Sequence, residues 1–390
     1  METVLNKTKE LDKTYTATIL APFLGLAIGV TSYGEWWWTI GLSIFFPVLL
    51  FKAESRIGAF FIALFYQIGA SRSLAIGAAR FYGNDIFFGV LIWSIGNALT
   101  ASVYGAAWHR NPHVRLLTVP LAMALTSLPP LGVLGWANPL TAAGIIFPGA
   151  GVVGIFYLLG LYASLAAGTK PITKIFVVLS IWCFLTAKVT GGNDLTSIST
   201  KFGRTEDMGA LDYSRQTQLI SMASKAKSKA VVLPENMVTG GWTEVSEKLW
   251  LKSLGRGKVV AVGATEFTHG QEKNKRNILA IIGDGKVQRY VQRQPIPFSM
   301  WIPFSENSYQ TAWFDNPVIT INGKKTAFLI CYEAFLVWPI VHSYLSGAEQ
   351  IAAAGNYWWT DGKDIPTIQQ SIIRSWSRLF NLPYAVAVNT

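Results

Sequence analysis

Apolar positions fill the first half of this chain almost without interruption and then break into short runs. Seven stretches, 15–32, 35–51, 57–77, 85–108, 115–135, 139–167 and 172–188, approach the roughly 20 apolar residues that a bilayer crossing needs, with only short polar or Pro/Gly gaps between them. Beyond Gly191 the charge density rises and the apolar runs shorten to strand length. "SISTKF", "KAVVLPEN", "KVVAVGATEF", "NILAIIGDGKVQRYV", "PVITINGKKTAFLICYE", "QIAAAGN" and "YAVAVNT" read as strands, being short, rich in Val and Ile, and bounded by turn residues. Asp284-Gly285 and Asn322-Gly323 read as hairpin turns, because both central residues of a type I′ turn need positive φ. Helical patterns fall between the strands, at about 208–228, 243–255, 334–346 and 365–380. The pattern predicts an α-helical multi-span membrane domain over 1–189, followed by an α/β sandwich over 190–390 with helices on its outer faces.

Composition agrees with a chain partly in lipid. Hydrophobic residues make up 51% of it, charged residues only 14%, and the mean hydropathy is +0.33. The first stretch is too long for a signal peptide and no A-x-A cleavage site follows it. Trp36, Trp37 and Trp38 open the second stretch as an aromatic belt would. Lys7, Lys9 and Lys13, then Lys52 and Arg56, Arg110 and Arg115, and Lys170 and Lys174 all fall on one side of the expected membrane. That side is therefore cytoplasmic. An odd number of spans then puts the polar domain in the periplasm of a bacterial inner membrane. Arg72 and Arg80 fall on the other side, as a re-entrant or interfacial piece or as a pair snorkelling to the surface.

The net charge of +11 comes from scattered residues, several of them flanking apolar stretches, and reads as anchoring at an anionic phospholipid bilayer rather than as nucleic-acid binding. "GAGVVG" at 149–154 matches a dinucleotide fingerprint but sits inside an apolar stretch, where small residues packing helix on helix explain it. Two cysteines, Cys183 and Cys331, exclude a disulfide scaffold. Four scattered histidines, with no HExxH and no CxxC, predict no metal site, and nothing in the sequence implies a cofactor.

Three short pieces carry candidate chemistry. "VVLPEN" ends a strand with Glu235, "FLICYEA" ends another with Cys331 and then Glu333, and "GNYWW" follows a third with Asn356 and Trp358. In α/β sheets, sites form at the carboxyl ends of strands. A carboxylate beside a thiol can take its proton and leave a nucleophile. Each piece alone also reads as filler, a lone cysteine at a strand end being more often a small core residue.

Together and in this order, these pieces resemble the nitrilase superfamily of carbon–nitrogen hydrolases, in which a Glu, a Lys and a Cys act on an α-β-β-α sandwich. Seven spans ahead of such a sandwich narrow the resemblance to apolipoprotein N-acyltransferase and its plasmid-encoded membrane relatives in conjugal transfer. "RYVQRQPIPFSMWIP" looks like that family's R-Y-x-K-x-H-L-V-P-F-G-E-x-V-P segment. In that register Glu235, Cys331 and Glu333 match, but Gln292 stands where the family has its catalytic Lys, and Met300 where it has a Glu.

The resemblance implies acyl transfer. Cys331 takes an acyl group from phospholipid as a thioester, and Glu235 serves as base when an amine or water accepts it. The acceptor it suggests is a lipoprotein or a protein of the conjugation apparatus. Arg293 is a cation next to Gln292, but adjacent side chains of an extended strand face opposite ways, so it replaces the Lys only if the segment bulges or turns at Pro295. Met300 suits an acyl chain or a repacked wall, and Asn356 and Trp358 complete the expected pocket. A non-catalytic membrane component that uses the sandwich for binding is the competing expectation. The family continues past "AVAVNT" with more strands and a closing membrane helix, so this sequence predicts one tether and a sheet edge covered by some other means.

Overall fold

In the computed structural model, residues 19–81, 85–188, 195–204, 210–268, 275–360 and 364–390 are described. Lys7, Lys9, Lys13 and the start of stretch 15–32 lie outside them. The chain divides into two compact units, Met1–Ala187 and Lys188–Thr390.

The first unit is helical. It comprises α1 (Ile19–Ser32), a 3-10 segment Trp37–Ile44 running into α2 (Phe45–Phe51), α3 (Arg56–Ala70), α4 (Leu74–Phe81), α5 (Ile86–Ala107), α6 (Pro112–Leu125), α7 (Ala143–Ile146), α8 (Val153–Ala167) and α9 (Lys170–Thr186). Its helix starts follow local chemistry. Ser55 Oγ accepts the Gly58 N–H at 3.0 Å, Asp85 Oδ1 accepts that of Phe88 at 3.0 Å, and Asn111 Oδ1 accepts that of His113 at 2.9 Å with Pro112 behind it. Helices α1 and α3 touch backbone to backbone at Gly29 and Gly69. A Cβ on Gly29 would lie 2.2 Å from the Tyr66 carbonyl oxygen, and one on Gly69 would lie 2.5 Å from that of Leu26.

Among the described residues, α5 alone is long and apolar enough to cross a membrane, and α3 with α4 meets the same test as a pair bent by 62°. Among the described residues, the other expected spans are occupied by shorter or broken helices. The causes are local. Helix α6 stops at Leu125 because the Thr126 and Ser127 hydroxyls turn back on the carbonyls of Ala122 (2.8 Å) and Met123 (2.7 Å), and Pro129 and Pro130 follow. Stretch 139–167 splits because Gly149 and Gly151 take positive φ (77° and 61°) in the turn before α8. "GAGVVG" is thus a turn and a helix start, not a helix-packing stripe. Arg72 lies in the α3–α4 break, where its guanidinium donates to the carbonyls of Tyr33 (3.0 Å) and Gly69 (3.2 Å) at the ends of α1 and α3.

The second unit is a four-layer sandwich. One sheet has the order β1 (Leu195–Ser197), β2 (Ala230–Val232), β3 (Val259–Phe267), β4 (Lys275–Gly283), β5 (Lys286–Val291), parallel through β3 and antiparallel after it. The other runs β6 (Ile319–Ile321), β7 (Lys324–Ile330), β8 (Gln350–Asn356), β9 (Tyr384–Asn389), with the last three parallel. Helices α10 (Ala210–Lys225) and α11 (Glu244–Ser253) cover the outer face of the first sheet, where Leu219, Ala223 and Trp250 pack on Val231, Val260 and Ile278. Helices α12 (Val337–Leu345) and α13 (Asp364–Phe380) pack on the second sheet. The inner faces meet, with the Tyr290 and Phe328 rings 5.6 Å apart.

Both expected hairpin turns have the required backbone, Asp284 (φ 50°) with Gly285 (74°) and Asn322 (49°) with Gly323 (78°). The first strand is displaced from "SISTKF" to Leu195–Ser197, and Thr200 keeps only a bridge to Asn389. Segment 200–203 meets the outer edge of β9: the Thr200 N–H donates to Val388 O (2.9 Å) and the Gly203 N–H to Thr390 O (3.2 Å).

Candidate active site

Strands β2, β7, β8 and β9 deliver Glu235, Cys331, Asn356 and Asn389 to one end of the sandwich. Glu235 lies three positions past the end of β2, and Gly263 of β3 holds the intervening loop. The Gly263 N–H donates to Pro234 O at 3.1 Å, and a Cβ there would lie 2.4 Å from the Glu235 Cα. Cys331 opens a 3-10 turn, Cys331–Phe335, directly after β7. Its φ is +47°, a conformation that costs a non-glycine residue about 1–3 kcal/mol and persists only where the surroundings enforce it. The surroundings here do so. The Glu333 carboxylate accepts the Ile330 N–H at 2.7 Å on one side of the cysteine, and Gln369 Nε2 of α13 donates to the Cys331 carbonyl at 3.2 Å.

The Cys331 thiol hydrogen-bonds to the Glu235 side chain, both groups being buried. Glu235 also accepts Asn277 Nδ2 on Oε1 (2.6 Å) and the Asn356 N–H on Oε2 (3.1 Å). The N–H groups of Asn356 and Tyr332 face the sulfur as well. Burial pushes the Glu235 carboxyl up to about 7, against its hydrogen bonds to Cys331, Asn277 and Asn356. Burial and the neighbouring Glu235 push the Cys331 thiol well up. The pair thus rests as an uncharged thiol beside a carboxyl that titrates near neutrality, which suits a general base.

Gln292 joins this group. Its Oε1 accepts Asn277 Nδ2 at 2.8 Å and its Nε2 donates to the Ile330 carbonyl, one residue before the nucleophile, at 2.9 Å. It fills the Lys position of the resemblance with a neutral amide. Among the described residues, neither Lys nor Arg is a group acting on Glu235 or Cys331.

Arg293 does not supply the missing charge. It is fully buried, its Nε lies 3.8 Å from the Glu333 carboxylate, and its guanidinium donates to the Tyr290 hydroxyl (3.0 Å), Pro339 O (2.9 Å) and Phe328 O (3.2 Å). Its backbone N–H and the Tyr290 hydroxyl also reach Glu333. Burial raises the Glu333 carboxyl, and Arg293 with these donors opposes the shift. Glu333 and Arg293 therefore form a core ion pair behind the nucleophile's turn.

Met300 is half-buried in the loop after β5. Its N–H donates to Ile296 O (3.0 Å) and its carbonyl accepts the Tyr309 N–H (2.8 Å), so its backbone shapes that loop. Asn356 contributes its backbone N–H, while its side chain accepts Asn389 Nδ2 at 2.9 Å. The Trp358 ring lies 4.9 Å from the Arg204 guanidinium. Asn277, Gly263 and Gln369 escape a sequence reading. Asn277 stands between Lys275-Arg276 and the apolar run that follows, Gly263 is one glycine among 35, and Gln369 lies on a helix 38 residues from Cys331.

No family model matches the chain. It is similar to conjugal transfer protein TraB of Agrobacterium fabrum, with 33% identity over 94% of this chain and 91% of that protein. It is also similar to a probable conjugal transfer protein TraB of Sinorhizobium fredii, with 30% identity over 95% of this chain and 98% of that one. Among solved structures, it overlays on a mutant of the Nesterenkonia AN1 amidase from the nitrilase superfamily, with 11% identity over 50% of this chain and 75% of that chain and a TM-score of 0.40.

Proposed function

From the premise that this chain belongs to the TraB family of conjugal transfer proteins, we propose that it is a membrane-embedded cysteine acyltransferase serving plasmid conjugal transfer. The observation that carries the reading is the hydrogen bond between the Cys331 thiol and the Glu235 carboxyl, two groups 96 positions apart in sequence.

In the first half-reaction the ionised Glu235 takes the thiol proton as sulfur adds to the carbonyl carbon of a phospholipid ester. The tetrahedral adduct collapses, its C–O bond breaks, and Glu235 returns the proton to the departing alkoxide of the lysophospholipid. A thioester remains on Cys331. In the second half an amine, or water, adds to that thioester and Glu235 takes its proton. The C–S bond then breaks and the proton goes to the thiolate, releasing an amide or a fatty acid. The acceptor of this reading is an amine on a lipoprotein or on a component of the conjugation apparatus. No cofactor takes part.

The membrane part of the reading rests on the first unit. Helix α5 is long enough to span, and large apolar side chains stand outward on several helices, including Phe87 (78% exposed), Leu117 (74%) and Leu185 (77%). With the charged gaps facing the cytoplasm, the sandwich lies in the periplasm and the unit is multi-pass.

A second reading, a non-catalytic assembly component, draws on one observation: Gln292 is neutral where the resemblance has a Lys. One experiment separates the two. Purified protein is incubated with alkyne-tagged phospholipid, and Cys331→Ser is the control. A hydroxylamine-sensitive adduct at Cys331 supports acyl transfer, and its absence favours the assembly role.

A further inference from the structure

Among the described residues, the Tyr357 hydroxyl is buried beside this site with nothing to bond. Tyr357 follows Asn356 directly, so it leaves β8 beside the N–H that meets both Glu235 and the Cys331 sulfur. Its backbone is pinned. The Tyr357 N–H donates to Asn389 O (2.7 Å), and its carbonyl accepts the Thr360 N–H and hydroxyl, each at 3.0 Å. The ring folds back over the strand it has just left. A Cβ on Gly355 would lie 2.6 Å from Tyr357 Cε2 and 2.9 Å from the hydroxyl oxygen, so a larger residue there would have to displace the phenol. The residue is 1% exposed, and its hydroxyl finds no hydrogen-bond partner among the described residues.

A buried hydroxyl without a partner is costly and is rarely kept without a use. This one lies in the electrostatic reach of both Cys331 and Glu235. The Glu235–Cys331 reaction develops negative charge on the acyl oxygen, and among the described residues neither Lys nor Arg acts on the pair. A donor placed where that charge develops is worth about 10²–10³ in rate.

We propose that the Tyr357 hydroxyl donates a hydrogen bond to the carbonyl oxygen of the acyl group as it adds to Cys331, making it a catalytic residue that stabilises the oxyanion without a positive charge. The proposal rests on acyl transfer at Cys331. Burial and the two acidic neighbours push the phenol pKa well up, so the donor keeps its proton throughout the working range of Glu235.

The test compares wild type, Tyr357→Phe and Cys331→Ser, each as the whole protein in detergent. Three reagents probe Cys331. p-Nitrophenyl octanoate acylates through an oxyanion, tagged phospholipid does the same with a poorer leaving group, and iodoacetamide alkylates with no oxyanion at all. The expected result is that Tyr357→Phe slows Cys331 acylation by p-nitrophenyl octanoate about 100-fold and leaves alkylation within about twofold of wild type. Equal acylation rates overturn the proposal. A parallel loss of acylation and alkylation also overturns it, since that is a packing defect. If phospholipid fails while the octanoate ester still shows the Tyr357 effect, the phospholipid reading falls and the oxyanion role stands. If wild type is alkylated but takes an acyl group from neither ester, both fall.

Discussion

Arg293 and Glu333 form an ion pair of 3.8 Å with neither side chain exposed, and Glu333 in turn holds the Ile330 N–H one residue before Cys331. The nucleophile's strained turn is thus tied to a buried charge pair rather than to a surface loop. Removing one partner of such a pair leaves the other buried and uncompensated, at a cost of about 3–5 kcal/mol. Arg293→Met is expected to lower the urea midpoint of the protein accordingly, and adding Glu333→Gln to recover most of the loss. An Arg293→Met protein with an unchanged midpoint would show that the pair does not hold the turn.

Glu235 sets the pH dependence. Its carboxyl titrates near 7 in the fold against an ordinary value of 4.5. Acylation needs it ionised, so the rate is expected to rise with pH through about 7 and then level off. Stability runs the other way. Between 4.5 and about 7 the folded protein holds a proton that the unfolded chain has lost, so stability falls as pH rises across that window, by at most about 1.4 kcal/mol per pH unit. Glu235→Gln is expected to flatten this slope in melts recorded from pH 5 to 8, and a slope that survives the substitution belongs to another group.

Gln292→Lys restores a cation beside Asn277 and Glu235. An opposite charge within about 4–6 Å lowers a carboxyl pKa by about 1–3 units, so the midpoint of the pH–rate profile is expected to move to about 6 or below. The acylation rate is expected to rise about 10–100-fold, less than the full value of a new oxyanion donor because Asn277 loses an acceptor. A lower or unchanged rate, with the midpoint moved, would mean that the pocket is built around the neutral amide.

Gly263→Ala tests the loop that carries the base. The added methyl would lie 2.4 Å from the Glu235 Cα and 2.5 Å from Asn236 N, both backbone atoms that cannot swing aside. The substitution is expected to destabilise the second unit by about 1–3 kcal/mol and to slow acylation more than it slows iodoacetamide alkylation. Wild-type acylation in Gly263→Ala would show that Glu235 tolerates displacement.

What the sequence made legible was what local rules govern. Asp284-Gly285 and Asn322-Gly323 announce their hairpins because positive φ selects such residues, and Val- and Ile-rich runs mark the strands around them. Glu235 and Cys331 stand out as chemically able residues at strand ends. The alternation of an extended chain also separates Gln292, which reaches Ile330 O, from Arg293, which reaches Phe328 O and Pro339 O. The residues that position the site were not legible, since Asn277, Gly263 and Gln369 act through contacts between elements distant in sequence. Helix ends in the first unit were not legible for a related reason: an apolar run reports burial in lipid or protein, while helix ends depend on hydroxyls such as those of Thr126 and Ser127 and on glycines such as Gly149.

The membrane reading has its own test in α5. Ile95 lies mid-helix and is 42% exposed, among outward apolar neighbours Leu91 (44%) and Leu99 (49%). If these side chains face lipid, a lysine at 95 costs about 2.5–3.5 kcal/mol at the bilayer centre. Ile95→Lys is therefore expected to reduce the fraction of chain that resists carbonate extraction from membranes, while Asn97→Leu, at a buried position, leaves that fraction unchanged. A wild-type chain that washes off in carbonate would remove the bilayer from the mechanism and leave Cys331 to act on soluble acyl donors.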